Sequence, residues 1–333
     1  MMNKRLKQGT TFLLALALAF PLLTLPGARA ANAIETDRKC SVSFSVSGEG
    51  NELTAADTDI KVNLYKVADV DVSGNYTATK DFTGLNVSSV SADDKDAAAS
   101  EWVDRAKEAQ KMLKESVEPT ATVTLAKGIG SKDGLATGLY LVDTPEVVTT
   151  NYTYTFTPYL VSLPTNNYYS NGNDTWIYDL TDTNAIGLKP EEHARYGDLK
   201  INKTLANHNA TTGKKATFVF KIEITPLKGK TETRIESLDF EAAGDSSVTI
   251  TKIPAGAKVK VTEVYSGASY KLTSANDQTA TIVATDRGST NTPASVSFTN
   301  DIDDNMNGGY GVKNNFKLDE NGQYQYTEPA EKN

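Results

Sequence analysis

The sequence predicts an all-β chain, two β-sandwich domains in tandem with one helix inserted in the first. Three observations predict it. Thr, Val and Tyr recur in short runs that alternate polar and apolar residues. Gly- and Asn-rich turns separate those runs. One segment stands out by carrying apolar residues at helical spacing.

Residues 1–30 stand apart from the fold. Lys4, Arg5 and Lys7 precede an apolar run from Phe12 to Leu25, broken by Pro21, and Ala28-Arg29-Ala30 is a small-x-small site. That pattern reads as a secretory signal peptide cut after Ala30. The apolar run is too short for a membrane span, which takes about 20 residues. The expected location is therefore outside the cell or on its surface, with no membrane span after cleavage. About 300 of the 333 residues remain, too many for one ordinary sandwich and suited to two. The leader holds four positive and no negative residues, so its loss takes the net charge from −8 to −12. Such acidity argues against nucleic acid and against anionic membrane surfaces as partners. Cys40 is the sole cysteine, so an internal disulfide is impossible and any covalent staple must be of another kind.

The first domain is expected over 31–190. Cys40, Val42, Phe44 and Val46 alternate within 39–47, a half-buried strand followed by a turn at Gly48-Glu49-Gly50-Asn51. Residues 60–67 form a second strand, closed by Ser73-Gly74-Asn75. A helix near 93–117, capped by Ser91 or Asp93, sets Trp102, Ala106, Ala109 and Leu113 on one stripe before Pro119. It either packs on the sandwich flank as structure or grips a ligand. Strands resume at 121–125, 138–142, Tyr152 to Leu163, and 176–180. The polar stretch 187–197, with Pro190, marks the boundary.

The second domain, 197–300, is nearly all strand: 198–205, 216–225, 247–252, 257–265, 279–284 and 295–300. The tail, 301–333, carries a hairpin signature, Glu320-Asn321-Gly322 between apolar residues. Asp303 to Gly308 resembles the start of a calcium loop, but its twelfth position is Asn314, so a polar turn is the better reading. His193 and His208 are isolated, and no metal spacing, phosphate loop or nucleophile elbow is present. The expectation is no cofactor, no metal and no enzymatic turnover.

Strand parity singles out three residues of the second domain. Leu199 and Ile201 mark the inward face of their strand, and Lys203 shares it. Val259 and Val261 likewise carry Glu263 inward, and Val296 and Phe298 carry Asn300. An amine, a carboxyl and an amide thus each end an inward run. Burial lowers the pKa of an amine and raises that of a carboxyl. Neutral Lys203 is a nucleophile, and protonated Glu263 can polarise the Asn300 amide and shuttle a proton, so a Lys–Asn isopeptide bond can form once, without turnover. The competing reading is a buried Lys203–Glu263 salt bridge with Asn300 capping a turn.

Residues 197–300 resemble the B-type repeats of collagen adhesins and the isopeptide-forming, immunoglobulin-like domains of Gram-positive pilins. The carrying residues are Gly197 to Leu205, Val259 to Lys271 and Val296 to Asn300. The resemblance implies that Lys203 and Asn300 form the bond and Glu263 promotes it. The first domain is similar to pilin N-terminal domains at Leu64 to Val70, Gly138 to Val142, Pro158 to Pro164 and Asn173 to Asp179. It departs from them in lacking an inward Lys on 39–47; Lys66, inward by parity, and Asn184 are candidates for a second crosslink. The family implies a structural surface subunit joined to other subunits by a sortase, and Lys189 is the candidate linkage lysine. The C-terminus shows no Leu-Pro-x-Thr-Gly-like signal, so a truncated product, a secreted subunit or a tip subunit joined through Lys189 is expected. The alternative function is an adhesin that binds a host or neighbouring-cell ligand through its first domain.

Overall fold

The computed structural model describes residues 23–24, 33–46, 52–55, 58–91, 95–166, 175–182, 185–209, 215–267, 269–286, 288–303, 315–318 and 323–327. The chain divides into two compact units. Met1–Thr149 with Tyr154–His193 forms the first, and Thr150–Thr153 with Ala194–Asn333 the second. The leader, apart from Leu23–Thr24, and the turn at 48–51 lie outside the described residues, as does most of the calcium-like loop.

Among its described residues the first unit is all-β with one α-helix. The strands that order its main sheet are β1 (Cys40–Ser45), β2 (Asp59–Val70), β3 (Ala121–Ala126), β4 (Ile129–Leu135), β5 (Gly138–Asp143), β6 (Tyr159–Leu163), β7 (Asp179–Leu180) and β8 (Ile186–Gly187). They belong to one sheet in the order β6-β5-β2-β3-β4-β1-β7, with β8 also pairing β1. The alternation read in 39–47 holds: Cys40, Val42 and Phe44 are buried to 1 % exposure or less. Strand β4 is polar and Gly-containing, and its register is set instead by the turn before it. Lys127 and Gly128 have φ of 54° and 79°, the paired positive values of a tight hairpin turn, and Ala126 pairs Ile129 across them. The run from Tyr152 to Leu163 is not one strand. It breaks into Tyr152–Phe156 and Tyr159–Leu163 around Pro158, whose nitrogen has no hydrogen to donate to a ladder.

Helix α1 spans Lys95–Met112, shorter than expected at its C-terminal end, and Asp93 lies outside the described residues. Trp102, Ala106 and Ala109 are buried against Tyr65, Val67, Leu139, Leu141 and Leu160. Arg105 lies on the buried side as well, at 6 % exposure. Its guanidinium donates to the Ser88 carbonyl and to Glu101 Oε1, both at 2.5 Å, and lies 4.6 Å from the Trp102 ring. Replacing Arg105 with methionine removes those contacts but keeps much of the buried stem. A destabilisation of about 1–3 kcal/mol is expected in chemical denaturation; an unchanged midpoint would show the guanidinium to be dispensable.

The second unit is a sandwich of two four-stranded sheets. Its strands are β9 (Tyr196–Leu205), β10 (Ala216–Thr225), β11 (Glu232–Phe240), β12 (Gly244–Pro254), β13 (Lys258–Tyr265), β14 (Tyr270–Leu272), β15 (Asp277–Thr281) and β16 (Ala294–Ile302). One sheet runs β12-β9-β16-β14 and the other β11-β10-β13-β15. Inward residues of both fill the core, among them Leu199, Ile201, Phe218, Phe220, Ile222, Val259, Val261, Val296 and Phe298. The first and last of these strands, β9 and β16, are neighbours and run parallel. Beyond the sandwich, Asn315–Leu318 pairs antiparallel with Tyr324–Thr327, and the turn between them lies outside the described residues.

Candidate functional site

The site is built from strand parity. On β9, Leu199, Ile201, Lys203 and Leu205 are all at 0 % exposure. The parallel register of β9 and β16 sets Lys203 opposite Phe298 and Leu205 opposite Asn300. Lys203 and Asn300 are therefore diagonal neighbours on one face of one sheet. Glu263 comes from β13 in the other sheet, where it pairs Phe220. The three groups meet across the core.

Lys203 Nζ lies 3.0 Å from Glu263 Oε2 and donates to Asn300 Oδ1. The Asn300 Nδ2 donates to Glu263 Oε1 at 2.6 Å. The two oxygens of one carboxyl thus face the two nitrogens, amine and amide. Water is excluded: the side chains of Lys203 and Glu263 are 0 % and 1 % exposed. The walls are aromatic. The Phe218 ring centroid is 4.4 Å from Nζ, Phe240 and Tyr270 pack on Phe218 at 5.6 Å, and Phe220 packs on Phe298 at 5.1 Å.

This environment acts on both charges. Burial pushes the Lys203 amine below its ordinary pKa, and the attraction of Glu263 offsets part of that. Burial pushes the Glu263 carboxyl above its ordinary pKa, against the pull of Lys203 and of the Asn300 amide. Both shifts favour an uncharged pair, the protonation state in which the amine can act as a nucleophile.

Residues 199–303 match a family model described as a domain of unknown function, DUF5979. No curated protein matches the chain. Among solved structures, the fimbrial protein FimP of Actinomyces oris is similar at 12 % identity and a TM-score of 0.28, over 71 % of this chain and 63 % of that one. The minor pilin GBS52 of Streptococcus agalactiae is similar at 12 % identity and a TM-score of 0.22, over 79 % of this chain and 95 % of its own. The major pilin SpaA of Corynebacterium diphtheriae, a protein of modular pilus assembly with stabilizing isopeptide bonds, is similar at 14 % identity and a TM-score of 0.27. That likeness covers 71 % of this chain and 66 % of SpaA, so the chain spans just under two thirds of both FimP and SpaA.

The other candidates from the sequence are not brought together. Lys189 is exposed. Lys66 is not sealed in the core, contrary to its parity. Its side chain is 22 % exposed and its Nζ sits 2.5 Å from Asp69 Oδ1. Pairing with β5 is regular up to Lys66 and shifts only between Lys66 and Ala68, so the lysine keeps the parity of Leu64 while its long stem carries the ammonium out to Asp69. Asn184, its proposed partner, lies outside the described residues. His193 is exposed beside Thr155, and no cluster of three His, Cys, Asp or Glu able to hold a metal occurs among the described residues. No described helix is long and apolar enough to cross a membrane. Exposed large hydrophobics such as Val72, Ile129 and Leu227 lie off the helix and off β5 and β6, the strands it covers.

Parity alone could not find the polar segment that bonds the backbone beside the triad. Asn276 Oδ1 accepts the Glu263 backbone N–H at 3.0 Å, and Ser274 Oγ accepts the Thr299 N–H at 3.1 Å. Side-chain bonds to backbone leave no periodic mark in a sequence.

Proposed function

We propose that the second unit crosslinks itself, joining Lys203 to Asn300 with Glu263 as a single-use proton shuttle. On this reading the chain is an exported structural subunit of a bacterial surface, of the pilin kind. The observation that carries the reading is the amine–carboxyl–amide triad closed between two sheets, its amine and amide on the first and last strands of the sandwich. In the neutral state the Nζ lone pair attacks Cγ of Asn300. Glu263 takes a proton from Nζ through Oε2 and delivers one to Nδ2 through Oε1. The Nζ–Cγ bond forms, the Cγ–Nδ2 bond breaks, ammonia leaves, and the carboxyl ends as it began. Fixing the three groups in one core supplies the effective molarity. The leader at residues 1–30 supports export, and the exposed Lys189 is the site proposed for sortase linkage to further subunits.

The intact mass of the mature chain, residues 31–333, tests this. It is expected to be lighter than its sequence by one ammonia, and a Glu263→Ala variant is expected to keep the full mass. A parent at full mass would leave a plain buried Lys–Glu pair. The pH dependence of bond formation follows from the two shifts. Acid protonates Lys203 and removes the nucleophile; alkali deprotonates Glu263 and removes the proton donor. A bell-shaped rate is expected, its limbs belonging to the coupled pair. A rate that only climbs with pH would remove Glu263 from its role.

A further inference from the structure

The crosslinking triad requires two strands from different sheets to hold a fixed offset, and one short segment bridges them. Strand β14 ends at Leu272, which pairs Asn300. Strand β15 begins at Asp277, which pairs Thr262 beside Glu263. Residues 273–276 therefore cross from one sheet to the other at the level of the triad.

Past the end of β14, no strand among the described residues pairs with β16 on that side. The crossing segment bonds it instead. Thr273 and Ser274 donate their backbone N–H groups to the Thr299 carbonyl at 2.8 and 3.3 Å, and Ser274 Oγ accepts the Thr299 N–H at 3.1 Å. Two residues further along, the Gln278 amide imitates a peptide group. Its Oε1 accepts the Ser297 N–H at 3.0 Å while its Nε2 donates to the Ser297 carbonyl. Gln278 itself stands on β15, in the sheet of Glu263. On the facing strand, Asn276 Oδ1 accepts the backbone N–H of Glu263 at 3.0 Å. The clasp thus grips Glu263 by its own main chain and Asn300 through the residue before it.

We infer that Asn276 and Gln278 are positioning residues for the crosslink, setting the offset between Glu263 and Asn300 without touching the reacting atoms. This rests on the isopeptide reading above. A displacement of about 1 Å at reacting groups costs about a hundredfold in rate, while one hydrogen bond is a small part of a sandwich's stability. Asn276 is exposed and Gln278 half-buried, so their loss leaves the apolar core intact.

The test is a time course of ammonia loss from the full chain, synthesised in a cell-free reaction and sampled by intact mass. Asn276→Ala and Gln278→Ala are each expected to slow the loss about tenfold and the double variant about a hundredfold. Near-UV circular dichroism should match the parent, and the pH optimum should be unchanged because Lys203 and Glu263 are untouched. Asn276→Asp keeps an acceptor for the Glu263 N–H and is expected to restore most of the rate. Variants that lose ammonia as fast as the parent overturn the inference alone. So do slow variants that have lost the native near-UV signal, since their defect is one of folding. A parent that never loses ammonia overturns the crosslink itself, and the positioning role with it.

Discussion

Lys203→Ala is expected to unfold the second unit at or near room temperature, whereas Lys203→Met is expected to leave it folded but much weakened. Lys203 and Asn300 are 97 residues apart. A bond closing a loop of about 100 residues is worth roughly 4.7 kcal/mol through the entropy it removes from the unfolded chain. On the proposed crosslink, both substitutions abolish such a bond. Alanine also deletes a stem at 0 % exposure in an aromatic cage, a large-to-small core change that costs about 2–5 kcal/mol more. Methionine fills most of that volume and leaves a neutral Glu263 still bonded to Asn300. The total for alanine, about 7 kcal/mol or more, is comparable to the whole stability of an ordinary domain, about 5–15 kcal/mol. Calorimetry of the parent and both variants checks this. A methionine variant melting with the parent would show that no covalent constraint exists; an alanine variant matching the methionine one would show that the cage collapses around the gap.

Gly197→Ala is the second change expected to have a large effect, for a steric reason. A Cβ at Gly197 would stand 1.8 Å from the Val283 carbonyl oxygen and 2.9 Å from Ile282 Cγ2. The register of β9 against β12 shifts between Gly197 and Leu199, so the backbone there is already drawn out of the regular ladder. An overpacked site of this kind costs about 1–3 kcal/mol, and the upper end is expected because the obstacle is backbone. Urea denaturation should show a lower midpoint for the variant. Adding Val283→Ala should not rescue it, because the clash is with the carbonyl and not the side chain. Rescue would mean that the loop moves aside and that the side chain was the real barrier.

The triad was legible in the sequence because each of its members closes a run of strict alternation: Leu199-x-Ile201-x-Lys203, Val259-x-Val261-x-Glu263 and Val296-x-Phe298-x-Asn300. A period of two fixes the face without knowledge of the partner strand. What parity could not say was whether three inward faces meet at one height, which depends on the register of β9 with β16 and of β10 with β13. The helix was legible for the same kind of reason, through Trp102, Ala106 and Ala109. Arg105 was not, because a buried guanidinium looks like a solvent-facing one in a sequence. Strands β4 and β11 were missed because Ile-Gly-Ser-Lys-Asp-Gly-Leu and Glu-Thr-Arg-Ile-Glu-Ser-Leu-Asp-Phe are largely polar, their pairing being set by turns and neighbours. The exposure of Lys66 was not legible because parity gives the face of a strand and not how far a long side chain reaches toward solvent.

The parallel pairing of β9 with β16 has a mechanical consequence. The chain enters β9 at Tyr196 and leaves β16 at Ile302, at opposite ends of two strands that point the same way. Tension on the two termini of this unit therefore acts along the strands and loads all their ladder bonds in shear at once, instead of opening them one after another. Once Lys203 and Asn300 are joined, the load passes from one strand to the other at that link. The residues between positions 203 and 300 then lie off the load path, whatever becomes of their hydrogen bonds. At about 3.5 Å per extended residue, roughly 340 Å of contour is withheld from extension. Such a unit is a strut of fixed length, and under rising force it transmits strain to its neighbours instead of absorbing it.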